Sequence, residues 1–70
     1  MTLHEAIAQV LKENGHPMTT REIMEAINKA HLYTRRDGQP VPITQINARV
    51  NNYFRMFERV DGQIVLLHKD

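Results

Sequence analysis

The sequence predicts an α+β domain of three helices followed by a C-terminal β-hairpin. Three observations predict it. Two capping boxes, Thr2 with Glu5 and Thr19 with Glu22, each open a stretch with helical apolar spacing. A third helical stripe runs through Ile46, Val50 and Tyr53. After Phe57 the period changes, and Asp61-Gly62 separates two short runs of strand-like residues.

In the first helix, Leu3, Ala6, Ile7, Val10 and Leu11 share one face. Gly15 supplies a left-handed C-cap and Pro17 stops continuation, which places the helix at about residues 3–14. His16-Pro17-Met18 is extended, because the residue before a proline avoids the helical region. The second helix, at about residues 20–30, has Ile23, Ala26, Ile27 and Ala30 as its apolar face. Residues 31–43, HLYTRRDGQPVPI, form a long connection with Asp37-Gly38 and two prolines, and Leu32 and Val41 are its expected core anchors.

Thr44 is the expected N-cap of a third helix at about residues 45–55. Ile46, Val50, Tyr53 and Phe57 fall within about 60° of one another at 100° per residue. Phe54 is also assigned to the core. Phe57-Glu58-Arg59-Val60 and Gln63-Ile64-Val65-Leu66-Leu67 are the hairpin strands, and Asp-Gly accepts positive φ at both turn positions. An isolated hairpin is marginal in water, so this one packs on the helices, and the piece near Met18 is positioned to add a third strand. The order helix, extended piece, helix, loop, helix, hairpin is the winged helix-turn-helix arrangement; a generic α+β domain is the alternative.

Composition bounds the function. The 70 residues allow one domain, spanning residues 1–70, and such a chain buries only about 60% of its unfolded surface. Hydrophobic residues are 41% and charged residues 24%, which is ordinary for a folded domain. The absence of cysteine excludes disulfide scaffolds and thiolate zinc sites, and favours a reducing compartment. No serine is present, and Gly15, Gly38 and Gly62 are isolated turn residues, not a phosphate loop. His4, His16, His31 and His68 lack metal-binding spacing. The expectation is therefore no enzyme, no metal and no cofactor. No apolar run spans a membrane and MTLHEAIAQV lacks a signal-peptide core, so the expected location is cytoplasmic, at the nucleoid in a prokaryote.

The net charge is +1, but residues 35–59 alone carry +3, with Arg35, Arg36, Arg49, Arg55 and Arg59 against Asp37 and Glu58. Arginine suits phosphate because its planar fork donates two parallel hydrogen bonds. The outward arc of the third helix holds Thr44, Gln45, Ala48, Asn51, Asn52 and Arg55, with Asn47 and Arg49 at its borders and no carboxylate. Asn and Gln pair bidentately with adenine, Arg pairs with guanine, and a small Ala48 permits close approach to bases. Arg35 and Arg36 stand beside a flexible turn, where they can clamp flanking phosphates. For Arg59 and Gln63, on the hairpin, a surface role is the simpler reading.

Taken together, Thr2-Leu3-His4-Glu5-Ala6-Ile7 with Val10-Leu11, Gly15-His16-Pro17-Met18-Thr19-Thr20-Arg21-Glu22-Ile23, Ala30-His31-Leu32-Tyr33, and Phe57-Glu58-Arg59-Val60 with Gly62-Gln63-Ile64 resemble the HARE-type helix-turn-helix family. The segment 34–42 departs from it, being longer than in many members. Members occur in additional-sex-combs-like chromatin proteins, in the delta subunit of bacterial RNA polymerase, and beside restriction and modification enzymes. The resemblance implies a winged helix-turn-helix fold and a DNA-binding or adaptor role, in transcription regulation or restriction and modification, without catalysis. The expected partner is duplex DNA, met by Thr44, Gln45, Ala48, Arg49, Asn51, Asn52, Arg55, Arg35 and Arg36. A protein-interaction adaptor of the same fold, using the second helix and the loop, is the alternative.

Overall fold

The computed structural model of the chain describes residues 1–67. Its elements run α1 (Leu3–Asn14), β1 (Met18–Thr19), α2 (Thr20–Ala30), α3 (Ile43–Asn52), β2 (Phe57–Val60) and β3 (Gln63–Leu66). This is the winged helix-turn-helix arrangement that the sequence predicts.

Both capping boxes form. The Glu5 N–H donates to Thr2 Oγ1 at 3.3 Å and the Thr2 N–H donates to Glu5 Oε1 at 2.8 Å. The Thr19–Glu22 pair repeats this at 3.1 and 2.8 Å. Each box satisfies two backbone donors that a helix start leaves free. Gly15 closes α1 at φ 73°, donating to the Leu11 carbonyl, where any side chain would be strained. His31 closes α2 in the same left-handed region, at φ 52°.

β3 is the central strand of a three-stranded antiparallel sheet in the order β1-β3-β2. Ile64 pairs with Met18 on one side and Arg59 on the other. The hairpin turn places Asp61 at φ 51° and Gly62 at φ 79°, as its Asp-Gly sequence requires. Leu3, Ile7, Ile23, Ile27, Val41, Ile46, Val50, Phe57 and Ile64 are among the buried residues where helices and sheet meet.

The third helix differs from the sequence expectation at both ends. Thr44 is not its N-cap. Pro42 is, at φ −80° and ψ 158°, with no side-chain cap, and its carbonyl accepts from the N–H groups of Gln45 and Ile46 at 3.1 and 3.3 Å. Proline's fixed φ holds this residue extended, and the chain turns helical directly after it. At the other end α3 stops at Asn52, three residues before the expected end. The Tyr53 carbonyl takes bonds from Met56 and Phe57 N–H groups, turning the chain so that Phe57 enters both β2 and the core. Consequently Phe54, assigned to the core by sequence, is 70% exposed, since it lies on no helical stripe. Ala30 is also exposed, at the end of α2.

The long loop is fixed by a contact no sequence pattern announced. Asn28 on α2 accepts from the Val41 N–H at 2.9 Å and donates to the Val41 carbonyl at 3.1 Å. This two-sided amide bond satisfies both backbone groups of a buried residue. Val41 is thereby the core anchor that the sequence predicts, and Leu32 packs partly buried against the core.

Replacing Asn28 by Ala leaves both Val41 backbone groups without partners and costs about 1–3 kcal/mol; a denaturant titration checks this, and an unchanged midpoint contradicts it. The Glu5 carboxyl is held below its ordinary value of 4.5, mainly by the Thr2 N–H. A depressed folded value contributes stability above 4.5 that disappears as pH falls through the folded value. Glu5→Gln keeps an acceptor but does not titrate. Wild type therefore exceeds Glu5→Gln in melting temperature at neutral pH, and the gap closes on acidification.

Candidate nucleic-acid interface

α3 turns Ile46 and Val50 into the core, which aims Thr44, Ala48, Asn51 and Asn52 at solvent as one ridge. All four are exposed, as the helical wheel predicts. Gln45, Asn47 and Arg49 are half-buried along its flanks. The helix bears no carboxylate, and Arg49 is its single charge. A ridge of amides, a hydroxyl and one methyl is able to donate and accept, and nothing on it repels phosphate.

The two flanks are held differently. On one, the Arg49 guanidinium lies 6.0 Å from the centre of the Tyr53 ring, which stacks on His4 of α1 with centroids 4.0 Å apart. The guanidinium stem thus runs along the border of the core, as its position on the wheel suggests. On the other flank, Arg59 of β2 reaches across. It donates through Nη2 to Asn47 Oδ1 at 2.8 Å, through Nε to Asn51 Oδ1 at 3.4 Å, and through Nη1 to Thr20 Oγ1 at 3.5 Å. Thr20, 9% exposed at the start of α2, itself donates to Asn47 Oδ1 at 3.1 Å. Wing, α2 and α3 therefore meet at one polar cluster. The sequence reading had assigned Arg59 to the surface and left Thr20 to helix capping. Strand alternation was the available signal, because Phe57 and Arg59 lie on the same face of β2.

The remaining candidates are scattered. Arg55 is exposed but lies in the turn after α3, so it does not belong to the helical arc that the longer sequence-based helix had given it. In the loop, Arg35 pairs with Asp37 at 2.9 Å and its Nη1 stands 3.5 Å from the Pro40 carbonyl. These side chains are 32% and 50% exposed, and ion pairs so placed contribute little to stability. Arg36 is exposed beside them. The structure gathers Thr44, Ala48, Asn51 and Asn52 on one face, sets Gln45 and Arg49 on its flank, and leaves Arg35, Arg36 and Arg55 on neighbouring loops. A shallow groove beside the ridge is lined by Val50, Asn51, Phe54, Phe57, Arg59 and Leu67, with Glu58 at its margin. Among the described residues no three His, Asp or Glu side chains gather to hold a metal ion, and no helix is long and apolar enough to cross a membrane.

The model of the HARE-HTH family, the HTH domain of ASXL and restriction endonuclease proteins, matches residues 1–67. The chain belongs to this family, whose domains are of the DNA-binding helix-turn-helix type and not catalytic. Nothing matches it among the curated proteins or among the solved structures.

Asn52→Ala, at an exposed position of the ridge, changes stability by less than about 0.5 kcal/mol. Arg59→Ala removes three hydrogen bonds that join separate elements and costs about 1 kcal/mol or more. Thermal melts of the two variants check the contrast, and equal melting temperatures contradict it.

Proposed function

We propose, from this family membership and the geometry of α3, that the chain binds duplex DNA non-covalently with α3 in the major groove. The observation that carries the reading is the exposed, carboxylate-free ridge of Thr44, Ala48, Asn51 and Asn52, flanked by Gln45 and by the wing. In a helix-turn-helix protein this helix lies against base edges. Asn and Gln amides suit bases, and the methyl of Ala48 suits close approach or a thymine methyl.

Arg36 and Arg55 stand exposed on either side of the ridge in the chain, and Arg35 exchanges its exposed carboxylate partner for a phosphate at little cost. Arg49 supplies a further positive charge on the helix flank. Such contacts fix orientation and carry no base information. The setting is transcription regulation or the restriction and modification of DNA, in the cytoplasm or at the nucleoid. The chemistry is recognition, with no bond made or broken.

A second reading, a protein-contact adaptor of the same fold, is favoured by one observation. Phe54 is 70% exposed beside Leu67, which is an unusual position for a phenylalanine in so small a domain. Titration with random duplex at low salt, followed by backbone amide shifts, separates the two. DNA binding shifts α3, residues 34–40 and the wing; an adaptor leaves all of them unmoved.

With about four arginines on phosphates, log affinity falls against log salt with a slope of roughly −3.6. Replacing Arg35 and Arg36 together by Ala flattens it by about two units and weakens all sequences alike. An unchanged slope returns the pair to a role confined to the loop.

A further inference from the structure

The cluster joining wing and α3 decides what the asparagines on its side can offer a base. A carbonyl oxygen has two lone pairs, and Asn47 Oδ1 uses both, one for Thr20 Oγ1 at 3.1 Å and one for Arg59 Nη2 at 2.8 Å. A guanidinium has only donors, so the amide atom facing it is oxygen and the Nδ2 group faces away. That nitrogen has no acceptor in the protein among the described residues. No half-buried or buried side chain there has a concealed polar atom without a partner, so Asn47 Nδ2 reaches solvent. Asn51 is oriented in the same sense by Arg59 Nε on its Oδ1, at 3.4 Å.

We infer that Arg59 sets base preference by making Asn47 and Asn51 donor-only groups, so that this edge of α3 takes the acceptor-only edge of guanine in the major groove. Adenine needs the opposite. Its N7 accepts but its N6 donates, and an asparagine reads it only with both amide atoms free. Releasing Asn47 Oδ1 to meet adenine N6 takes an acceptor from both Thr20, which is buried, and Arg59. Guanine presents N7 and O6 side by side, both acceptors, and makes no such demand. Arg59 is here a positioning residue, acting through the two amides. The inference rests on the proposed reading that α3 faces the major groove. Donor-only groups also suit phosphate oxygens, but a phosphate contact carries no base preference.

The test is selection from a randomised duplex library at low salt, with the full chain as wild type and as Arg59→Ala, each verified by a thermal melt. Wild type is expected to select guanine at one position by roughly tenfold over adenine. Substituting a deazaguanine lacking N7 there should weaken wild-type binding several-fold. Arg59→Ala is expected to bring the preference below about threefold, with adenine gaining. Wild-type selection of adenine at that position, binding without base preference, indifference to the missing N7, or an unchanged preference in Arg59→Ala each overturn the inference while leaving DNA binding standing. Retention of no duplex at all by wild type overturns the proposed function, and the inference with it. The missing-N7 comparison needs no variant, so it decides the matter even if Arg59→Ala does not fold.

Discussion

The architecture depends on where Ile64 sits. It is fully buried, and its strand pairs on one side with Met18 and on the other with Arg59. A two-stranded hairpin alone buries too little to persist in water. β3 becomes the centre of a sheet only because two residues preceding α2 extend along it. Pro17 keeps that segment extended, and Thr19 ends it by capping α2. The turn between the first two helices is thus also a strand, which ties the N-terminal helices to the wing.

The row across the sheet through Met18, Ile64 and Arg59 explains the placement of the polar cluster. Alternation puts Phe57 and Arg59 on one face of β2. Phe57 enters the core beneath α3, and Arg59, two residues on, emerges where the sheet passes the edge of that helix. A hydrophobic residue there would leave the hydroxyl of Thr20 and the amide of Asn47 to each other. An arginine joins three elements through a single side chain. The geometry of the α3 face is therefore inherited from strand register, and a register slip of one residue would turn Arg59 to the other face.

The sequence was most legible where a local rule acts over three or four residues. The capping boxes, the Gly15 stop, the Asp61-Gly62 turn and the buried stripe of α3 are of this kind. It was least legible where distant residues meet. Arg59 lies 39 positions from Thr20 and 12 from Asn47, and Asn28 lies 13 from Val41. No spacing rule connects such pairs. The ends of α3 were misread for a separate reason. Threonine is the commoner cap, but Pro42 already holds the extended conformation that a cap needs. Past Asn52, burial of Phe57 in a strand outweighs the helical spacing that would have carried Tyr53 and Phe54 onward. The exposed ridge survives both errors, because its register is set by Ile46 and Val50.

The Asn28–Val41 bond has a consequence for how the chain tolerates change in length. It returns the loop to α2 at a point close to where the loop departs, so residues 32–40 hang from a closed base. Loop-closure entropy grows only logarithmically, and each doubling of such a span costs about 0.6 kcal/mol. Lengthening at Asp37-Gly38 therefore leaves Val41, and the helix that begins two residues later, where they are. The segment is a natural insertion point, able to vary in length between relatives or to carry a fused peptide or probe while the three helices keep their relation to one another.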